Sequence, residues 1–110
     1  MFAITEGLAK INGEVVNTFE REIDKGKTVL EVTAGTTGYK RDVSRAGSSR
    51  TYIALDCVKG DFHFSPITDE EGKTAGVEIA ACGNESLNAI MLALFFAYKV
   101  LDDQRRDVKD

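Results

Sequence analysis

The chain of 110 residues contains no tryptophan, one proline, one histidine and two cysteines. The two cysteines, Cys57 and Cys82, are too few for a disulfide scaffold, and their apolar surroundings favour two small buried residues over a disulfide or a reactive thiol. One histidine and two separated cysteines do not form a zinc pattern, so we expect no metal and no cofactor. No apolar run reaches about 18 residues, and the N-terminus lacks the regions of a signal peptide, so we expect a cytoplasmic protein that does not enter a membrane.

Positive charge is also scarce: the chain has 14 Lys and Arg residues and 18 Asp and Glu residues, which gives a net charge of −4. Proteins that bind DNA or RNA generally need a basic surface that releases counterions, so we expect no nucleic-acid partner. A hydrophobic fraction of 43% is ordinary for a globular protein, and the length predicts a single domain over residues 1–110.

Glycines and turn residues divide the first two-thirds of the chain into short strand-like segments. Asn12-Gly13 supplies the positive φ angles of a type I′ hairpin turn, although the apolar residues between positions 5 and 23 also fit a helix. We favour the hairpin because Gly7 and Gly13 would both weaken a helix. Strand patterns follow at 28–33, 51–57, 62–65 and 77–82, and Pro66 is expected to end the third of these. The pattern predicts an α+β fold in which an antiparallel sheet of about five or six strands packs with one long C-terminal helix.

That helix is predicted to cover about residues 84–106, with Asn84 as its N-cap and Arg105 near its negative end. It carries two apolar sets. The set expected to face the sheet is Leu87, Ile90, Met91, Leu94, Ala97, Tyr98 and Leu101. The second set is Leu92, Phe95, Phe96 and Val100. Because one sheet face cannot cover both sets, we predict a homodimer or higher homo-oligomer through this helix.

A glycine-rich basic loop over residues 34–50 shows neither strand nor helix periodicity. Loops this long are uncommon in compact domains unless they are functional or disordered. The loop carries a charge of +3 and the other 93 residues carry −7, and its cations are Lys40, Arg41, Arg45 and Arg50. Glycine backbone, hydroxyl groups and arginine side chains suit an anion, so we predict a phosphate-binding loop, with a mobile solvated loop as the alternative. The spacing of a P-loop is absent.

Catalytic groups are not evident in the sequence. His63 falls on the polar face of a strand without an evident partner, and Asp56 and Asp61 flank a turn as an exposed acidic pair. We find no nucleophile–base pair, so we expect a protein that is not an enzyme.

Three segments are similar to small proteins of phages and mobile elements of Gram-positive bacteria: residues 34–39 (AGTTGY), residues 49–52 (SRTY) and the Gly83-Asn84-Glu85 start of the helix. Among these the chain resembles the phage Thoeris anti-defence sponges, which sequester cyclic ADP-ribose-type signals and in some members take up cyclic oligonucleotides at a separate site. The similarity concerns size, order of elements and scattered polar positions.

The resemblance implies a nucleotide pocket beside the helix at a dimer interface. Asn84 and Arg105 would face this pocket, and Arg21 and Arg50 would contact phosphate or an oligonucleotide. Tyr39 and Phe64 are the candidates for a stacking residue. The sequence therefore leads to a ligand-sequestering protein that does not cleave its ligand. The alternatives are an accessory protein that binds a protein partner and, less favoured, a small nucleotide hydrolase.

Overall fold

The computed structural model describes residues 4–38 and 49–106. These residues form six strands and one helix: β1 (Ile4–Ile11), β2 (Glu14–Lys25), β3 (Thr28–Thr36), β4 (Thr51–Lys59), β5 (Phe62–Thr68), β6 (Thr74–Ala81) and α1 (Asn84–Arg106). The first four strands form an antiparallel sheet in the order β1-β2-β3-β4, and β5 and β6 form a separate antiparallel hairpin. The α+β fold with one C-terminal helix is confirmed, but two sheets replace the single expected sheet.

The first hairpin turn is the one predicted from Asn12-Gly13. Asn12 has a φ of 50° and Gly13 a φ of 85°, so both central residues occupy the left-handed region that a type I′ turn requires. The strands on either side pair from Ile4 with Arg21 to Ile11 with Glu14. The alternative helix over residues 5–23 is therefore wrong.

Gly60 explains why β5 leaves the first sheet. Its φ of 131° is available to glycine and not to other residues, and the chain bends there instead of reversing beside β4. Among the described residues, β5 pairs only with β6. Pro66 does not end β5, because the strand continues to Thr68 and Pro66 lies opposite Val77. A strand with one free edge tolerates a residue that lacks an N–H group.

The core lies between α1 and one face of the four-stranded sheet. Leu30, Val32 and Ala34 alternate along β3 and point toward the helix, and Ile23 joins them from β2. The helix contributes a buried row that begins with small side chains: Ala89, Ala93, Phe96, Ala97 and Val100. Alanines spaced four residues apart let the helix approach the sheet closely.

This packing corrects the predicted orientation of α1. Of the set expected against the sheet, Leu87, Met91, Leu94 and Tyr98 are exposed, whereas Ala97, Ile90 and Leu101 do pack in or against the core. Of the second set, Phe96 and Val100 are buried and Leu92 packs against the core, but Phe95 is exposed. The prediction placed large side chains inward, but the sheet surface accepts the alanine row. The helix nevertheless keeps an exposed apolar face, as the two apolar sets require.

The start of α1 and the cysteines also differ from expectation. The carbonyl oxygen of Gly83 accepts the first helical hydrogen bond from the Leu87 N–H (3.1 Å), so Gly83 is the N-cap and Asn84 is the first helical residue. Cys57 is half-buried against the core, but Cys82 is exposed, and both are free thiols. No helix in the described part of the chain is long and apolar enough to span a membrane.

Candidate ligand-binding site

A cavity of about 750 Å³ bounded by described residues lies beside α1, above the β2 side of the sheet. Ligand pockets usually occupy about 300–1,000 Å³. The lining residues come from three strands or their ends and from the second half of the helix: Ile4, Asn17, Phe19, Arg21, Thr36, Thr37, Phe95, Phe96, Lys99, Val100, Asp103 and Gln104.

Gln104 bridges β2 and β3 at the edge of this cavity. The β2–β3 pairing runs from Lys25 with Thr28 to Phe19 with Ala34, and the same register would next pair Asn17 with Thr36. Instead, the side-chain oxygen of Gln104 accepts a hydrogen bond from the Thr36 N–H (2.9 Å), and its amide group donates one to the Asn17 carbonyl (3.0 Å). The glutamine amide thus replaces a strand–strand contact and satisfies both backbone groups.

Gly35 allows the two strands to remain close at this point. A Cβ atom on Gly35 would overlap the carbonyl oxygen of Asn17 and press on the backbone of Thr18. The strand β2 therefore passes over β3 at a distance that only glycine permits. Gly35 and Gln104 together fix the position of Asn17 in the wall of the cavity.

Strand alternation places aromatic and cationic side chains in the cavity. Phe19 and Arg21 lie opposite Ala34 and Val32 in the β2–β3 register, so they share the sheet face that points toward the helix. From α1, Phe95 and Lys99 lie on the same side of the helix one turn apart. The site therefore combines phenylalanine rings with two cations, of which Arg21 was implied by the resemblance and Lys99 was not anticipated.

The strand β3 continues through Thr36, so the basic loop predicted over residues 34–50 starts later than expected, at the rim of the cavity. Its two ends are joined because the Thr37 N–H donates to the Arg50 carbonyl (3.0 Å) and the Arg50 N–H donates to the Thr37 hydroxyl (2.9 Å). The Thr36 hydroxyl also donates to the Arg50 carbonyl (3.1 Å). Thr36 and Thr37 line the cavity, so the loop base and the cavity share a wall. Four predicted ligand contacts lie outside the described residues: Tyr39, Lys40, Arg41 and Arg45.

Arg50 does not line the main cavity among the described residues. Its side-chain Nε donates a hydrogen bond to the Ile11 carbonyl (3.3 Å), which ties the tip of the first hairpin to the start of β4. The predicted stacking residue Phe64 lies on the β5–β6 hairpin and does not line the cavity either.

Asn84 and Arg105 line two other cavities, of about 590 and 160 Å³, at opposite ends of α1. They are 21 residues apart on one helix, which separates them by about 31 Å. One chain cannot bring both to a single pocket.

A charge cluster at the end of α1 is organised by Asp102, which is 5% exposed. Arg105 contacts its carboxylate through Nε (2.9 Å) and a terminal nitrogen (2.7 Å), and Arg106 contacts the other oxygen (2.9 Å). Burial opposes ionisation of Asp102, but the Arg105 hydrogen bond and the charges of Arg106, Arg105 and Lys99 outweigh it. The pKa of Asp102 therefore lies below its ordinary value.

The opposite face of the sheet is acidic. Glu22, Glu31 and Asp56 lie side by side across β2, β3 and β4. Partial burial, together with repulsion from Glu20, Asp56 and Glu22, raises the pKa of Glu31 above its ordinary value. This face would repel a phosphate ligand, in contrast to the cavity face.

Among the described residues, the cavity wall contains no histidine or cysteine and a single carboxylate, Asp103. His63 has a partner that the sequence did not reveal, since its Nε2 lies 3.2 Å from the Asp61 carboxylate, but both side chains are largely exposed at the base of the β5–β6 hairpin. Within the described ranges, no three His, Cys, Asp or Glu residues are arranged to hold a metal ion.

Comparison with known proteins provides no relative: no family model, curated protein or solved structure matches the chain.

Proposed function

We propose that this protein is a sponge that sequesters a cyclic nucleotide signal of the cyclic ADP-ribose type in the cavity beside α1 and does not cleave it. The proposal rests on the composition of the cavity wall. The wall contains the cations Arg21 and Lys99, three phenylalanine rings, and the Gln104 amide that binds the backbone of β2 and β3. A dinucleotide-sized ligand needs cations for its phosphates and an apolar surface for its base, and stacking on an aromatic ring is worth about 1–3 kcal/mol per base.

The loop base supports the same ligand class. Lys40, Arg41 and Arg45 follow directly from the Thr36–Thr37 rim and bring further positive charge into the same segment of chain. Within this proposal the loop contacts phosphate, and cyclic oligonucleotides are further candidate ligands. The proposed setting is the cytoplasm of a bacterium infected by a phage that encodes the protein, where loss of the signal would counter anti-phage defence.

The proposal includes a homodimer or higher homo-oligomer through α1. Its support is the exposed apolar face of the helix, which is formed by Leu87, Met91, Leu94, Phe95 and Tyr98. The same face favours the second candidate function, an accessory protein that acts by binding a different protein.

A hydrolase is less favoured because the described cavity wall supplies Asp103 as its only carboxylate and no histidine or cysteine. Arginine, lysine and amide groups bind phosphate, but they are poor proton acceptors at neutral pH. Release of small molecules by heating the purified protein, followed by mass spectrometry, separates the functions. An intact cyclic nucleotide supports sequestration, and a linear product would support hydrolysis instead.

Arg21→Ala tests the site itself. We expect binding of a cyclic ADP-ribose isomer, measured by calorimetry, to weaken by about 10- to 150-fold, because a charged hydrogen bond contributes about 1.5–3 kcal/mol. The matched control is Lys73→Ala, which removes an exposed cation from the β5–β6 turn. Equal affinity in wild type and Arg21→Ala would show that the ligand does not occupy this cavity.

A further inference from the structure

The β5–β6 hairpin has one apolar face that the described chain covers at Phe62 and leaves largely exposed beyond it. The register places Phe62 opposite Ala81, Phe64 opposite Ile79 and Pro66 opposite Val77, all on the same face. The rings of Phe62 and Phe64 stack with their centroids 6.1 Å apart. Phe62 packs against the core, but Val77 is 60% exposed and Ile79 is 43% exposed. The face therefore begins at the core and continues outward into solvent.

An isolated two-stranded hairpin is at best marginally stable in water. This hairpin pairs with no further strand among the described residues, and nearly all of its side chains are exposed. The hairpin needs a surface to pack on.

The exposed face of α1 has the matching character. Leu94 is 61% exposed and Tyr98 is 61% exposed, and Leu87, Met91 and Phe95 are exposed to similar extents. These side chains lie on one side of the helix, at spacings of three and four residues. The chain thus presents two apolar faces, one on a strand pair and one on a helix, and the described residues leave both largely exposed.

We propose that the β5–β6 hairpin of one copy packs on the exposed face of α1 of a second copy, and that the second hairpin packs reciprocally on the first helix. In a dimer with a twofold axis, the hairpin face and the helix face of both copies are buried, and no apolar face is left to bind a third copy. This inference rests on the homodimer included in the proposed function and adds the hairpin as its second contact surface.

The available area is sufficient for this assembly. Eight large side chains on the two faces, each with about half of a roughly 200 Å² surface exposed, provide on the order of 800 Å² per chain, which is the amount that a stable standard-size interface buries on each partner. The helix face alone provides less than this amount. A hairpin-on-helix contact therefore accounts for a stable dimer better than a contact between helices alone.

Opposite-charge substitutions test the contact through complementation. Phe64→Lys alters the hairpin face and Leu94→Glu alters the helix face, so each variant alone loses both hairpin–helix contacts. We expect each to dissociate, with its dimer dissociation constant raised at least about tenfold by an unpaired buried charge. In an equimolar mixture, a heterodimer regains one native contact and places the introduced lysine opposite the introduced glutamate in the other. Sedimentation velocity should therefore detect dimers in the mixture and monomers in each variant alone.

Ser65→Lys is the matched control, because Ser65 is adjacent to Phe64 in sequence and points to the other face of the hairpin. It should remain dimeric. Val77→Lys and Met91→Glu provide a second complementary pair in case one of the first variants does not fold, with far-UV circular dichroism as the check on folding.

Three outcomes would overturn the proposal. If Phe64→Lys stays dimeric while Leu94→Glu dissociates, the helices pair directly and the hairpin does not contribute. If Leu94→Glu stays dimeric, the hairpins pair with each other. A wild-type monomer at tens of micromolar refutes both the dimer and the hairpin contact. All of these measurements use the ligand-free protein, so failure here is separate from failure of sequestration, which calorimetry with the nucleotide measures.

Discussion

Gln104 offers a sharp test of how the cavity is built. Its amide holds the Thr36 N–H and the Asn17 carbonyl at the point where β2 and β3 stop pairing. Gln104→Ala removes both hydrogen bonds. At about 1 kcal/mol net for each bond, less a few tenths for the better helix propensity of alanine, the free energy of unfolding should fall by about 1.5 kcal/mol. Because one kcal/mol shifts the melting temperature of a small domain by about 4–8 °C, we expect a loss of roughly 6–12 °C.

The loss should extend to ligand binding, since Asn17 and Thr36 both line the cavity and would no longer be fixed. Calorimetry with a cyclic ADP-ribose isomer measures the loss of affinity, and thermal denaturation of the same variant measures the loss of stability. Asn88→Ala is the matched control, because it converts an exposed amide on the same helix into alanine and should change the stability by less than about 0.5 kcal/mol.

Gln104→Glu distinguishes the contributions of the two hydrogen bonds to stability. A carboxylate still accepts from the Thr36 N–H but cannot donate to the Asn17 carbonyl, so about half of the stability loss should appear at neutral pH. Protonation of the introduced carboxylate restores a donor, and the deficit relative to wild type should shrink as the pH falls toward the ordinary glutamate pKa of about 4.3. If Gln104→Ala matches wild type in both stability and affinity, the bridging role of Gln104 is wrong.

Two further substitutions test the sheet. Gly35→Ala should lower the free energy of unfolding by about 1–3 kcal/mol, since the added Cβ meets the Asn17 backbone. Gly76→Ala is the control and should have little effect, because the nearest neighbour of its Cβ would be 3.6 Å away. Chemical denaturation measures both, and equal free energies of unfolding would contradict the close approach of β2 to β3. Glu31→Gln should stabilise the protein at neutral pH by about 0.2–1 kcal/mol, because it relieves repulsion between adjacent carboxylates. The pKa of Glu31 is raised in the folded state, so this gain declines as the pH falls through that raised pKa and is gone below the ordinary glutamate value of about 4.3. A pH-independent difference in melting temperature would refute the assignment.

The local features of the fold could be predicted from the sequence. Asn12-Gly13 identified a type I′ turn because few residue pairs accept two positive φ angles. The bounds of α1 could be predicted because apolar residues recur at helical spacing between Gly83 and the pair Arg105 and Arg106. Periodicity could not decide which apolar stripe of α1 faces the sheet. That choice depends on how closely the two surfaces approach, and here the alanine row fits where the larger side chains do not.

The cavity could be predicted only in part, because it joins residues that are distant in sequence. Gln104 contacts Thr36 across 68 positions and Asn17 across 87 positions, and no local pattern reports such contacts. Lys99 is one cation among several on a predicted helix, and nothing in its neighbours distinguishes it. Arg21 was identified through the resemblance alone. Arg50 was predicted from its charge as a ligand contact, but its side chain binds the Ile11 carbonyl.

Phe95 connects the cavity with the proposed dimer contact, because it lines the former and is 60% exposed on the apolar face of α1. A second copy packed on that face would restrict Phe95 and cover the nearby opening of the cavity. We therefore expect the nucleotide to bind the dimer more tightly than the monomer. Linkage then requires the nucleotide to strengthen dimerisation by the corresponding factor, about 5- to 150-fold for a typical coupling of 1–3 kcal/mol.

Sedimentation of the wild type with and without saturating cyclic ADP-ribose isomer measures this factor. Phe95→Ala should reduce both the affinity and the coupling, whereas Arg21→Ala should reduce affinity and leave the dimerisation of the ligand-free protein unchanged, since Arg21 points into the cavity from β2. If the dissociation constant of the dimer is the same with and without bound nucleotide, the two sites are independent. The cavity would then be complete within a single chain, and the dimer would serve only to bury the apolar faces of the helix and the hairpin.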